Sequence, residues 1–204
     1  MTLDLLAPAA LDDDALALLF TDARTVNTYV DGDVDPAEIQ AAYEVLRWGP
    51  TAMNVSPLRL AVVPQGESRE RLAAHMAGFN RDKTLAAPLV VVAVADPGFH
   101  RHLGTLAPHR VGLEQDLEPQ EERRLEMART NTLIQIGYLI VALRARGLSV
   151  GPMAGFDRAG LDADLFAGNG WRSELVLTVG WAAAENGTHP RAARLEVSDA
   201  VVVL

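Results

Sequence analysis

The chain has 204 residues, of which 49% are hydrophobic and 22% charged, a balance that builds a core and excludes a disordered chain. A chain of this size removes roughly 70% of its unfolded surface from water on folding. A net charge of −9 with a pI near 5.0 argues against a nucleic-acid partner. The absence of cysteine excludes disulfides, thiolate metal sites and a cysteine nucleophile, and fits a cytoplasmic protein.

Residues 1–10 read as a loose leader, acidic and alanine-rich, with no basic stretch ahead of an apolar core and hence no signal peptide. Leu11 to Phe20 form an acid-capped helix, followed by the polar stretch 22–27. Asp35-Pro36 open a second helix, with Asp as cap and Pro at its first position, and Ile39, Ala42, Tyr43 and Leu46 recur along it at helical spacing. That helix stops in Trp48 to Pro57, a loop carrying Pro50 and Pro57. Leu58 to Val63 alternate as a strand, and a helix from Glu67 to Phe79 leads into a polar turn at 80–83.

Leu89 to Ala95 is the clearest strand, and its unbroken apolar run predicts burial on both faces. Residues 97–119, with His100, His102 and His109 among three prolines, read as a variable cap segment. The histidines there have no strand pattern to put them on one face, so a solvated loop is favoured over a metal site. A long helix runs from Gln120 to Arg146, polar at first and apolar nearly all round from Asn131. Such a helix is central or lies at a subunit interface. Its longest apolar run, Leu133 to Leu143, is broken by Gln135 and too short to span a bilayer, so no membrane partner is expected.

After Gly147, Leu148 to Val150 read as a short strand, residues 151–156 as a glycine-bearing turn, and Asp157 as the cap of a helix ending at Phe166. Glu174 to Trp181 is another strand, and the tail carries Arg191 and Arg194 before an apolar end. No repeat or linker divides the chain. The expectation is one α+β domain over residues 1–204, with about four strands separated by five or six helices.

Four polar turns carry the candidate chemistry. They hold Arg24, Thr25 and Asn27; Pro50, Thr51 and Asn54; Asn80 and Lys83; and Pro152, Met153, Ala154 and Gly155, with Arg191 and Arg194 added from the tail. Arginine forks hold phosphate, carboxamides read ring edges, and small residues admit a ring face, so the inventory suits a flat, phosphorylated, hydrogen-bonding ligand. Residue by residue the plainer readings stand beside this one. Lone arginines are most often surface ion-pair formers, and Asn54, Asn80 and Thr51 suit turns or caps. Lys83, the sole lysine, suits a structural role as well as a ligand.

In order and spacing these stretches resemble the FMN-dependent nitroreductase family from about residue 15 onward, nearest to its malonic semialdehyde reductase branch. The resemblance is carried by Leu19-Phe20-Thr21-Asp22-Ala23-Arg24-Thr25-x-Asn27, Trp48-Gly49-Pro50-Thr51-x-x-Asn54-x-Ser56-Pro57 and Asn80-x-x-Lys83-Thr84-Leu85-x-Ala87-Pro88. Leu139-Ile140-Val141-Ala142-x-Arg144-Ala145-x-Gly147-Leu148 and Gly151-Pro152-Met153-x-Gly155-Phe156-Asp157 complete it.

The resemblance implies an interlocked homodimer of α+β subunits, each with a central, mostly antiparallel sheet of four to five strands flanked by helices, and FMN at the interface. It assigns Arg24, Thr25 and Asn27 to the phosphate, ribityl chain and pyrimidine edge. Pro50, Thr51 and Asn54 would approach the flavin of the other subunit, Asn80 would bond the isoalloxazine with Lys83 nearby, and Arg194 with Arg191 would meet the phosphate. Pro152, Met153, Ala154 and Gly155 form the turn whose backbone N–H groups approach flavin N5. It further implies ping-pong hydride transfer from NADH or NADPH to a small acceptor, malonic semialdehyde first, with protein groups supplying position and dipoles.

Three departures bear on the acceptor: Ala154 stands where many relatives have glutamate, Asn27 where they have a basic residue, and Leu58 where tryptophan is common. A nitroaromatic or quinone reductase, or a flavin-storing protein without turnover, stays open as an alternative.

Overall fold

The computed structural model describes residues 10–184 and 188–204, so most of the expected leader lies outside the described residues. Helix α1 (Asp13–Leu16) begins where the Asp12 carboxylate accepts the Ala15 N–H at 2.8 Å, and it widens into a π turn over Ala17–Thr21. Helix α2 (Ala37–Leu46) starts behind Asp35, whose carboxylate accepts the Ala37 N–H at 2.8 Å while Pro36 already has helical angles. Strand β1 (Leu58–Val63), helices α3 (Glu67–Ala74) and α4 (Phe79–Ala86), and strand β2 (Leu89–Ala95) follow. A 3-10 turn at Phe99–His102 leads through α5 (Leu103–Leu106) and α6 (Leu113–Leu117) into α7 (Glu121–Ala145). The chain then forms β3 (Ser149–Met153), α8 (Arg158–Leu165), β4 (Arg172–Gly180) and a last turn, α9 (Val197–Ala200).

The strands make one antiparallel sheet in the order β1-β2-β4-β3. Its central strand β2 is buried along its whole length, and its side chains divide by the period of two. Leu89, Val91 and Ala93 join Ile39, Leu46, Ile136, Leu139 and Leu143 beneath α2 and α7. Val90, Val92 and Val94 join Leu72, Met76, Leu161 and Phe166 beneath α3 and α8 on the other face. Two helical layers therefore sandwich the sheet, which is why the strand reads as an unbroken apolar run. A bulge between Ala93 and Val94 skips Glu174 on β4, whose buried carboxylate meets Arg158 at 3.0 Å. Among the described residues no helix is long and apolar enough to cross a membrane.

Four local expectations are corrected. The helix expected over 67–79 leaves helical geometry after Ala74, because Met76 pairs with Phe156 as an isolated bridge and Gly78 takes φ 50°. The expected turn at 80–83 therefore lies within α4. The turn expected from Gly151 begins only at Ala154, since β3 continues to Met153. Pro152 is tolerated there because β3 is an edge strand. The segment 97–119 is no solvated loop: Phe99, Leu103, Ala107 and Leu117 pack with Val55, Ala95 and Ala128 in a core of their own.

Candidate functional site

A cleft of about 270 Å³ opens between the N-terminal strap and the β3 edge of the sheet. Its walls are Thr25 and Val26, then Asn80 and Lys83 from α4, residues 151–154, and Thr178 from β4. Three of the four polar turns singled out in the sequence thus meet here. Asn80 and Lys83 are three residues apart on a helix, which puts both on one face.

The turn after β3 is tied to the start of α4 at a single carbonyl. Gly155 O accepts from Ala77 N at 3.0 Å and from Asn80 Nδ2 at 3.1 Å. A Cβ at Gly155 would lie 2.8 Å from Asn80 Nδ2, so the close approach requires glycine. One residue further, Asp157 N donates to His75 O at 2.9 Å, and its carboxylate caps α8 by accepting from Gly160 N at 3.0 Å. Among the described residues, neither the Ala154 nor the Gly155 N–H donates a hydrogen bond within the chain, which leaves two exposed backbone donors at the cleft's edge.

The floor joins Gly151, from the stretch singled out in the sequence, to Tyr29 and Thr178, which the sequence pattern did not reveal. Tyr29 OH donates to Thr178 Oγ1 at 2.6 Å, and Thr178 Oγ1 donates to Gly151 O at 3.3 Å. Burial pushes the Tyr29 phenol above its usual pKa, with the Thr178 hydrogen bond opposing. A Cβ at Gly151 would fall 2.5 Å from Thr178 Oγ1 and 3.4 Å from Val26 O, so the missing side chain lets the strap lie on the sheet. Strap and sheet are also joined through Val30 N to Trp181 O and Ala183 N to Thr28 O, each 3.0 Å. One signal was available in the sequence: Thr178 is a polar residue amid the apolar run of β4.

The remaining expected residues sit elsewhere in the chain. Arg24 lines a neighbouring cavity of about 230 Å³ together with Arg144, and Val26 forms a wall of both spaces. Arg24 donates to His189 O, and Arg191 donates to Thr21 O, so the tail is docked onto the strap. Asn27 is half-buried and lines neither space. Arg194 bonds Ala192 O and Ala193 O, both at 3.0 Å, and is exposed.

Pro50, Thr51 and Asn54 belong to a loop with left-handed backbone at Met53, Asn54 and Ser56, pinned against the 97–119 segment. There Asn54 Nδ2 donates to Leu106 O at 2.7 Å, Ala52 N donates to Asn131 Oδ1 at 2.7 Å, and the Thr51 hydroxyl accepts from Ser56 N at 3.3 Å. His100 is fully buried and pairs with Glu118, which holds that carboxyl below its usual pKa. Among the described residues no group of three or more His, Cys, Asp or Glu could hold a metal ion.

A family model described as Nitroreductase family matches residues 21–181. The chain belongs to that family. A protein of Leptothrix cholodnii, provisionally named NADH dehydrogenase/NAD(P)H nitroreductase, is 43% identical over 195 residues, covering 96% of this chain and 98% of its own. Among solved structures, a nitroreductase family protein of Streptococcus pneumoniae TIGR4 superposes with a TM-score of 0.79 at 20% identity, over 93% of this chain and 100% of the other. A nitroreductase of Exiguobacterium sibiricum 255-15, provisionally assigned and solved in complex with FMN, gives a TM-score of 0.75 at 18% identity, over 96% and 99%. The α+β architecture described above is the nitroreductase fold.

Proposed function

We propose that this nitroreductase-family chain is an FMN-dependent NAD(P)H oxidoreductase. The observation that carries the reading is the convergence of Asn80, Lys83 and Ala154 on one cleft, with Asn80 bonded to the adjoining Gly155. The donor set fits a flavin ring: a carboxamide for a ring edge, a lysine with a hydroxyl beside it at Thr25, and two backbone N–H groups with no partner among the described residues. FMN held there would accept a hydride from NADH or NADPH and pass it to the acceptor.

The chain's own part is positional. The Ala154 and Gly155 N–H groups present fixed dipoles, Asn80 holds the turn that carries them, and the buried Val26 forms one wall beside the exposed Thr25. At about 270 Å³ the cleft is at the small end of ligand sites, and in this reading it takes the ring. The tail then runs toward arginines, and the site is completed by a second copy supplying Pro50, Thr51 and Asn54 from its own pinned loop.

Homodimerisation is supported by large apolar side chains left exposed: Trp48 at 79%, Phe79 at 85% and the tail from Leu195 to Leu204. The acceptor proposed first is malonic semialdehyde, reduced to 3-hydroxypropionate, on the sequence resemblance to that branch. Nitroaromatics and quinones are the second reading, favoured by the name of the Leptothrix relative.

Yellow protein mixed anaerobically with NADH and with NADPH is expected to bleach rapidly, and an acceptor panel including malonic semialdehyde, a nitroaromatic and a quinone then ranks reoxidation rates. Flavin that binds and does not bleach would favour a storage protein, and protein that ignores added FMN would end the proposal. Sedimentation is expected to give a dimer whose dissociation releases flavin; yellow, active monomers would contradict the shared site.

A further inference from the structure

The geometry points to Arg69 as a positioning residue that sets where α4 presents Asn80 and Lys83 to the cleft. Arg69 is the largest fully buried side chain, with 1% of its surface exposed. Its four hydrogen bonds all go to backbone carbonyls: Nε and Nη2 to Val63 O at 3.2 and 2.6 Å, and Nη1 to Thr84 O and Ala87 O, both at 2.8 Å. Among the described residues none goes to a carboxylate. Burial pulls its pKa down to about 10, and it stays cationic at neutral pH.

Those acceptors belong to separate parts of the fold. Val63 ends β1, whereas Thr84 and Ala87 lie at the C-terminal end of α4 and its cap. Carbonyls at a helix end have no intrahelical donor, and a cation there also meets the negative end of the helix dipole. Arg69 therefore anchors the C-terminal end of α4 to the rim of the sheet. The other end is anchored at Gly155 O through Ala77 N and Asn80 Nδ2. Lys83 lies between the two anchors, and its carbonyl accepts from Ala87 N at 3.1 Å.

A helix held at both ends has little freedom to slide, and displacement of a binding group by about 1 Å is costly to a site. A side chain needed only to fill this space would cost less as an apolar residue, since burying a guanidinium without a counterion carries a desolvation penalty. What the arginine adds is reach to three carbonyls at once.

The inference rests on the flavin reading of the cleft, and the test separates the two. FMN dissociation constants are measured by fluorescence titration of wild type, Arg69→Met, Arg69→Lys, Asn80→Ala and the Arg69→Lys/Asn80→Ala double variant. Leu72→Ala, a fully buried position on α3, the helix that carries Arg69, serves as the stability control, with Tm and the visible flavin spectrum recorded for each.

Expected are an affinity loss of tenfold or more in Arg69→Met, an intermediate loss in Arg69→Lys, a shifted flavin band in both, and losses that are less than additive with Asn80→Ala. Leu72→Ala is expected to lower Tm with FMN affinity within about twofold of wild type. Folded Arg69→Lys that binds FMN as tightly as wild type, or a loss matched by Leu72→Ala at equal Tm, would overturn the positioning role and leave the flavin reading standing. Wild type that does not bind FMN would overturn both.

Discussion

Replacing Gly155 with alanine separates the stability of the fold from the geometry of the cleft. The new methyl would sit 2.8 Å from Asn80 Nδ2, where ordinary contact begins near 3.4 Å. Gly155 is not among the glycines with positive φ, so its backbone accepts alanine without strain. What yields is the short Asn80 side chain, and with it the bond to Gly155 O. Losing that bond costs about 0.5–1.5 kcal/mol, and the stiffer unfolded chain returns about 0.4–1 kcal/mol. Net stability should change by less than about 1 kcal/mol, which moves Tm by no more than about 4 °C in a chain of this size.

The cleft has no such compensation. The carboxamide that would meet the flavin edge is turned away and the 154–155 donors shift with it. Loss of one hydrogen bond of about 1.4 kcal/mol raises the FMN dissociation constant about tenfold. Differential scanning fluorimetry of the apoprotein and FMN fluorescence titration read the two quantities independently. A folded Gly155→Ala protein that binds FMN as wild type does would refute the assignment of this turn to the ligand.

Other outcomes follow from the same contacts. Tyr29→Phe removes the donor to Thr178 and should cost about 0.5–1.5 kcal/mol in urea unfolding near neutral pH. Because burial raises the folded pKa of Tyr29 above its unfolded value near 10, its contribution is complete below about pH 10 and lost as pH rises through the folded value. The variant should therefore lack that alkaline loss. Asp164 is held below its usual pKa, first by its hydrogen bond from Arg71 and then by His75. Its pairs stabilise the fold above about pH 4 and fail as pH falls through the depressed folded value, so Asp164→Asn should flatten the acid limb of a stability-against-pH curve. Arg194→Ala should weaken FMN retention by about 1.5–3 kcal/mol with the apoprotein Tm unchanged, since among the described residues the hydrogen bonds of Arg194 go to the neighbouring backbone carbonyls of Ala192 and Ala193. Unaltered flavin affinity would remove Arg194 from the site.

The order of elements and their burial were legible along the chain because they follow from local rules. Leu89 to Ala95 has to be a two-faced strand, since an unbroken apolar run of seven cannot leave a face in water. Asp35-Pro36 starts a helix by chain stereochemistry, and Asp157 caps another through its own carboxylate. The polar turns were legible as residue types: Asn80, Lys83 and residues 152–154 line one cleft, and their order along the chain pointed to the family.

Tertiary contact decided the rest, because its causes are distant in sequence. Gly78 is the one local signal that the helix expected over 67–79 could break, and the place of the break answers Phe156, which pairs with Met76 from eighty positions away. The floor of Tyr29, Gly151 and Thr178 exists only once strap, edge strand and β4 are stacked, and Arg69 shows its role only when three separated carbonyls surround it. A chain's local pattern specifies which backbone each segment prefers, whereas a ligand cleft is a relation among segments, and that relation is set by packing.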